Sequence, residues 1–459
     1  MPSDADQVAK IGSMAFMCTM MANLLPSLAT MDSKELLTNI IALDILVITL
    51  IVNVCIQTYT GLTILKSKQK IELKYQAAHE NSLKDPELQQ PGRLTVEKLK
   101  QHVKNHWIMA GTGSPQFNTA CSATTSASGW FKAKFSDSSI VLGQYHEQQE
   151  NFNDLRPYVL QLQDDMELSE RTLKSISKYV NDLIKKAEKQ QPNNLVELLR
   201  ESKGFEGVGK YDSLHVPPLF AQDYLDCWSL PLVTLTAIAV SLPEIQNGRV
   251  DRLLSSVSEG LKYVTLVEES LNATDEYVRI QKAAKVLWLE VEVSNKWVGD
   301  NLKNHAPEVN TAGLILQWFK NTAKNMVTEV QVIDFGSAND NSMYRSICAN
   351  SMYRITESIL LSYHTNIDEL SQEDLFTELS SMIADILAAC LTNLPQVIVT
   401  KCHESVIEKR ESSVNATVQL LGETMQIIDN LQDRELPDLD PAELPFIGKW
   451  RDYFNHPLP

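Results

Sequence analysis

Two long apolar runs occupy the N-terminal part of the chain. Leu36–Ile56 contains a single charged residue, Asp44, and has the length of about 20 residues that a helix needs to cross a bilayer. Ile11–Met31 precedes it, contains no charged residue and is separated from it by a short polar turn. This pattern predicts a transmembrane helical hairpin that attaches the chain to membrane lipid through residues 11–56.

The second apolar run contains one carboxylate, that of Asp44, and two amides, those of Asn39 and Asn53. Each Leu, Ile or Val favours membrane insertion by about 0.3–0.6 kcal/mol, whereas an Asp near the middle of a span costs about 3 kcal/mol. Insertion is therefore favourable by a small margin. We expect Asp44 and the two amides to face the first helix or another copy of the chain, because polar groups that face lipid lose their hydrogen-bond partners.

Two other interpretations of this region stay open. The segment Ser27-Leu28-Ala29 resembles a signal-peptide cleavage site, although Asp4 and Asp6 stand where a signal peptide has a basic start. The two apolar runs could also be a pair of helices in the core of a folded domain.

Lysine residues indicate the orientation of the hairpin. Four of them follow the second run closely: Lys66, Lys68, Lys70 and Lys74. The turn between the two runs offers only Lys34. The positive-inside rule therefore predicts an integral membrane protein with the bulk of the chain, residues 60–459, in the cytosol. The seven cysteines are scattered without paired spacing, as expected of reduced cytosolic thiols.

Residues 76–150 differ in composition from the segments on either side. Proline, glycine, serine and threonine interrupt this range, and its pattern predicts one short helix over Thr95–Trp107. We therefore assign residues 1–75 to the membrane hairpin with its basic flank, and residues 76–150 to a partly disordered linker.

Beyond residue 150 the apolar residues recur at intervals of three to five residues with charges between them, which indicates amphipathic helices. Ser371 begins a capping box, and Asn194 is predicted to cap another helix. Cys227–Ile245 is apolar, but only eleven residues separate its two prolines, so we expect a buried core helix, with a re-entrant membrane segment as the alternative. Val397–Leu431 predicts one long final helix.

These elements predict an all-α cytosolic domain over residues 151–435 and a C-terminal tail with a short helix over residues 436–459. The apolar stripes of the individual helices predict its core: Leu253, Val257, Leu261, Val264, Ile359, Leu379, Ile383, Ile386, Leu387 and Leu391. The predicted architecture is all-α, with the membrane hairpin, the linker and the helical domain in that order.

Charge excludes one class of function. The chain carries a formal net charge of −17 at pH 7 and has a pI near 5.0. Proteins that bind nucleic acids present basic stripes to the phosphates, whereas acidic residues interrupt every basic run after Lys74. We therefore expect no nucleic-acid partner.

Two short motifs resemble metal sites without completing one. His102 and His106 lie four residues apart, which places both on one helix face as in a two-histidine metal pair, but no third ligand lies nearby in the sequence. We therefore expect two solvent-exposed histidines. His403 and Glu404 begin a zincin motif that fails at Ile407. The sequence thus predicts no catalytic residue, no metal, no cofactor and no small-molecule ligand.

The chain contains the segments MANLLPSLATMDSKELLTNIIALDILVITLIVNVCIQ, WIMAGTGSPQF, CWSLPLVTLTAIAVSLPEI, IADILAACLTNLP and KCHESVIEKRESSV. Together they resemble a plant group of uncharacterised multi-span membrane proteins with a large helical C-terminal region. The resemblance implies membrane residence and a helical cytosolic part, and it brings no activity and no catalytic residue with it. The chain differs from that group before KIELKYQ and after SPQF, where further spans would lie.

Three function hypotheses follow. The leading one is a membrane-anchored structural or interaction protein whose helical domain binds another protein or self-associates. The second is a reduced transporter or channel-like protein in which the intramembrane Asp44 has a role, although two helices rarely enclose a pathway without oligomerising. The third is a membrane-tethered enzyme that uses dispersed residues such as Cys402, His403 and Glu404, although adjacent helical residues point in different directions. We expect that the protein is not an enzyme.

Overall fold

The structure is a computed structural model. It describes residues 41, 44, 45, 48, 66–84, 94–114, 117, 152–160, 170–202, 216–219, 227–271, 275–303, 311–332, 340–363, 370–404 and 406–432. The chain divides into two compact units, Met1–Leu73 and Lys74–Pro459. Most of the described residues are helical, which confirms the predicted all-α class.

The first unit is described at a few positions within the predicted hairpin. Four helical residues with exposed side chains share one helix face: Ile41, Asp44, Ile45 and Ile48. The rest of the range 11–56, including Asn39 and Asn53, lies outside the described residues. The bilayer span and the contacts of Asp44 therefore stay predictions.

The second unit contains the helical domain. Its described elements begin with α1 (residues 74–83, the part in this unit of a helix described over 66–83), α2 (Val96–Thr112), α3 (Glu170–Glu188), α4 (Asn193–Arg200), α5 (Ser229–Ser241) and α6 (Asn247–Leu271). They continue with α7 (Asp275–Ser294), β1 (Lys296–Trp297), β2 (Asp300–Asn301), α8 (Ala312–Val332), α9 (Asp340–Ser362), α10 (Gln372–Leu391), α11 (Leu394–Cys402) and α12 (Ile407–Gln432). A short 3-10 helix, Phe152–Tyr158, lies between α2 and α3, and β1 pairs with β2 in antiparallel register, Lys296 opposite Asn301.

Helix α5 lies at the centre of the domain. All its residues except Pro231 are buried, and it packs against α6, α7, α9 and α10. A helix that other helices surround has no solvated face, which explains why this segment is apolar all round. The core helix predicted over Cys227–Ile245 is therefore confirmed.

The core predicted from the apolar stripes is confirmed at nine of its ten positions, and the tenth, Leu261, is half-buried against the same cluster. Within the described part of the chain, one helical stretch, Gln372–Cys402, is long and apolar enough to cross a membrane. It comprises α10 and α11, and 89% of its most apolar 18-residue segment is buried inside the protein. Core helices pass the same length and composition test, so this stretch is weak evidence of a span.

The range predicted as a linker contains two packed helices, α1 and α2. The hydroxyl of Thr95 accepts a 3.2 Å hydrogen bond from the backbone N–H of Lys98 and thereby caps α2. Leu99 and Val103 are fully buried, and α2 packs against α11 and α12. Because the apolar face of α2 belongs to the common core, the helical unit begins near residue 74 rather than at residue 151.

Two details near the helix ends differ from the predictions. Val397–Leu431 is not one helix, because the backbone is extended at His403, with φ −86° and ψ 107°, and the chain breaks into α11 and α12 there. Asn194 is not a cap, because Pro192 occupies that position and the Asn194 amide donates a 2.7 Å hydrogen bond to Glu259 instead.

Helices α3 and α12 approach each other closely at Gly422. A Cβ atom built on this glycine would lie 2.5 Å from the Cβ of Ala187 and 2.8 Å from the backbone oxygen of Ile184. The absence of a side chain at residue 422 is therefore what permits this contact.

Candidate functional site

Four histidines, one cysteine and a tyrosine from three parts of the chain lie together, and we call them the histidine cluster. Its members are Tyr75 and His79 on α1, His102 and His106 on α2, and Cys402 and His403 at the end of α11. Tyr75 and Ala78 also pack with Met109 and Leu160, a contact that holds α1 against α2.

The two histidines of α2 form the buried centre of the cluster. Their exposed fractions are 3% for His102 and 1% for His106, and the ring centroids lie 4.3 Å apart. The Nδ1 atom of His106 lies 3.1 Å from the backbone oxygen of His102, which can only accept, so we assign the proton of neutral His106 to Nδ1. The lone pair of His106 is then on Nε2.

His79 and His403 close the cluster on its more exposed side. Nδ1 of His79 lies 3.3 Å from Nε2 of His106, and the rings of His79 and His403 stack with centroids 3.9 Å apart. The guanidinium carbon of Arg410 lies 3.5 Å from the ring centroid of Tyr75, and its Nε donates a 3.0 Å hydrogen bond to the backbone oxygen of Glu404.

Three imidazoles of this cluster, those of His79, His106 and His403, are favoured in their neutral form. Burial lowers the pKa of His79 to about 4, with further contributions from His403 and Arg410. Burial also lowers the pKa of His106 well below its usual value, and burial together with Arg410 lowers the pKa of His403. Burial raises the pKa of the Cys402 thiol. Neutral imidazoles have free lone pairs, which metal coordination requires.

Three donor groups of the cluster come close enough to share one small ion. A ring nitrogen of His102, a ring nitrogen of His106 and the sulfur of Cys402 all lie within 4.8 Å of one another, and all three residues are buried. The expectation of solvent-exposed histidines is therefore wrong, because α1 and α11 cover this face of α2. The third donor that is missing near His106 in sequence comes from α11.

The trio Cys402, His403 and Glu404 does not act as one group. The first two contribute to the cluster, whereas the carboxylate of Glu404 accepts a 3.2 Å hydrogen bond from the backbone N–H of Val406. One sequence signal could have linked Cys402 to the histidines of α2. It is the apolar stripe of α11, which shows that Cys402 points into the core.

A second candidate functional site lies on the surface of α7. Four of its apolar side chains are exposed, by 55%, 39%, 59% and 74%: Val278, Val286, Leu289 and Val293. At 100° per residue they lie within about 80° of arc, opposite the buried face that contains Leu287 and Val291. We call these four residues the α7 stripe.

No family model, curated protein or solved structure matches this chain. The resemblance to the plant membrane-protein group therefore stays a prediction, and the function has to be argued from the two regions described above.

Proposed function

We propose that this chain is a membrane-anchored interaction protein whose helical domain docks an amphipathic helix of a partner protein on the α7 stripe. The observation that carries the proposal is the exposure of the stripe. Single exposed apolar residues are ordinary on protein surfaces, whereas several that share one helix face mark a candidate binding surface. Because Val278 and Val293 are fifteen residues apart, the stripe is about 22 Å long, which is four helical turns.

The shape and charge of the stripe favour a helical occupant. Apolar residues that recur on one face over several turns match the anchors of a helix laid in a groove. Lys282 is exposed within the stripe, between Val278 and Val286, and the exposed Arg279 and Lys285 lie on either side of it. A partner helix with acidic residues beside its apolar face would therefore complement this surface.

The membrane anchor in this proposal is the hairpin over residues 11–56. Its support is the length and composition of the two apolar runs together with the lysines that follow them. Carbonate extraction and protease protection test it. Release of the chain into the soluble fraction, or protection of residues 60–459 inside sealed vesicles, would contradict the anchor or its orientation.

Site-specific photo-crosslinking tests the docking. A photoreactive residue at position 289 should give a protein adduct in cells, and Val293→Lys in the same chain should abolish it. Tyr179 on α3 is exposed by 54%, so a photoreactive residue there and the change Tyr179→Lys provide the matched controls. Adducts that are equally abundant at positions 179 and 289, adducts with a second copy, or adducts with lipid would each overturn the proposed occupant.

A further inference from the structure

We propose that His79, His102, His106 and Cys402 form a tetrahedral site for Zn²⁺. Imidazole nitrogen and thiolate sulfur are the usual protein ligands of this ion. The inference goes beyond the docking function and does not depend on it, because none of the four ligands belongs to the α7 stripe.

One donor–donor distance matches a tetrahedral zinc ion, and those among His102, His106 and Cys402 reach up to 4.8 Å. With Zn–N bonds of about 2.0–2.1 Å, two nitrogen ligands of a tetrahedral ion lie about 3.3 Å apart. This is the distance between Nδ1 of His79 and Nε2 of His106. The donors of His102, His106 and Cys402 lie within 4.8 Å of one another, so small side-chain rotations of about 1 Å would bring them to tetrahedral spacing.

Outer hydrogen bonds already orient the two central ligands. His106 donates its Nδ1 proton to the backbone oxygen of His102, which directs Nε2 toward the site. The hydroxyl of Ser82 lies 3.2 Å from Nδ1 of His102, which makes Nε2 the nitrogen for the ion. Metal-binding histidines commonly engage their second nitrogen with a carbonyl or another polar group in this way, because the contact fixes the ring orientation.

Proton transfers on binding are simple. In the metal-free cluster the Nδ1 of His79 donates to Nε2 of His106, since the proton of His106 is on Nδ1. On binding, His79 moves its proton from Nδ1 to Nε2, so that both lone pairs point to the ion. The thiol of Cys402 releases one proton to solvent and binds as thiolate. One zinc ion thus displaces one proton per chain, and no oxidant or reductant takes part.

One nearby charge opposes the bound ion, but other contacts hold it in place. A divalent ion with three neutral imidazoles and one thiolate has a net charge of +1, and the guanidinium of Arg410 near His79 opposes it. Arg410 is itself engaged with the Tyr75 ring and the backbone oxygen of Glu404, so its position is set by other contacts.

Four protein ligands give a closed site, which is typical of structural rather than catalytic zinc. The ligands come from α1, α2 and α11, and Cys402 is 296 residues after His106 in the chain. Zinc would therefore fasten the first and last parts of the helical domain to each other.

Metal titration of the purified full-length chain in detergent micelles tests the proposal. After removal of metals with a chelator, zinc alone should bind with one equivalent per chain by calorimetry and raise the thermal unfolding temperature. Cobalt should give tetrahedral visible bands together with a thiolate-to-cobalt charge-transfer band. Uptake of less than one zinc per chain at saturation would overturn the site.

Three variants separate a true site from surface binding. Cys402→Ala should lose the charge-transfer band and weaken zinc binding by more than about 100-fold, whereas Cys390→Ala, which removes an equally buried thiol in α10, should change neither. His79→Gln alters a more exposed ligand, so it remains informative if Cys402→Ala misfolds, and it should weaken zinc binding at least 10-fold. Unchanged zinc affinity in either Cys402→Ala or His79→Gln would contradict the four-ligand site.

Discussion

Glu268 on α6 accepts a 2.7 Å hydrogen bond from the backbone N–H of Trp228 and so caps the start of α5 from a neighbouring helix. The same oxygen accepts a 2.8 Å bond from the N–H of Ser229, and the second carboxylate oxygen accepts one from the Tyr277 hydroxyl. The residue at the N-cap position makes no side-chain cap, so this buried carboxylate satisfies the first donors of the central helix.

Replacing this carboxylate should destabilise the whole domain. We expect Glu268→Ala to lower the free energy of unfolding by about 3 kcal/mol or more, because each buried donor left unsatisfied costs about 1–3 kcal/mol. The neighbouring Glu269 is half-exposed, so Glu269→Ala should change stability by less than about 0.5 kcal/mol. Urea unfolding followed by circular dichroism measures both, and equal effects would contradict the capping role.

The same carboxylate should make stability depend on pH. Burial is the main cause that raises the pKa of Glu268 above its ordinary value of 4.5. The folded state therefore binds the proton of Glu268 more tightly than the unfolded state does. The stability that this tighter proton binding contributes is complete below about pH 4.5 and is lost as pH rises through the folded pKa. The stability of the wild type relative to Glu268→Gln should fall over that interval. Parallel pH profiles of the two proteins would contradict the prediction.

Gly422 should tolerate no side chain. Gly422→Ala places a methyl group against the backbone of α3, and we expect it to cost about 1–3 kcal/mol through overpacking. Gly260 is the matched control, because its closest neighbours are the terminal carbons of Leu387 and Leu195, which can rotate away. Gly260→Ala should therefore cost less than Gly422→Ala. Urea midpoints of the two variants should differ in this order, and the reverse order would disprove the close contact.

Two leucines that both lie within helices should contribute differently to the unfolding free energy, because only one of them is buried. Leu387→Ala removes a fully buried side chain from α10 and should cost about 2–5 kcal/mol. Leu289→Ala changes an exposed residue of the α7 stripe, so it should leave the unfolding free energy within about 0.5 kcal/mol. A large loss for Leu289→Ala would indicate that the α7 stripe is a folding element and not a free surface.

Two truncated fragments test where the helical domain begins. A fragment of residues 74–435 keeps α1 and α2, whereas a fragment of residues 151–435 exposes the faces of α11 and α12 that α2 covers. We expect the longer fragment to unfold cooperatively at the higher temperature and to remain monomeric, while the shorter one aggregates. Equal melting temperatures would show that α2 contributes little to the core.

The sequence predicted helices best where local signals agree. The N-cap at Ser371 is confirmed, since its hydroxyl accepts a 3.1 Å hydrogen bond from the N–H of Asp374. The apolar segment between two prolines is the core helix α5. Helix α8 was not predicted. The break at His403 was not predicted either, because neither glycine nor proline marks it.

The histidine cluster could be predicted only in part. The spacing of His102 and His106 places both on one helix face, but helical periodicity gives no information about which other helix covers that face. Cys402 and His79 reach the cluster only through the packing of α11 and α1 against α2. Contacts between residues so far apart in the chain depend on the tertiary arrangement, which local patterns do not encode.

The described cysteines, all buried, make opening of the helical domain directly measurable. Burial raises the pKa of Cys227 in the segment before α5, of Cys348 in α9 and of Cys390 in α10, so these thiols are protonated and shielded from alkylating reagents. A reagent reaches each sulfur only when the surrounding helices separate. Pulsed alkylation read by mass spectrometry would therefore time the opening of three regions in one native sample, as amide exchange does for backbone protons.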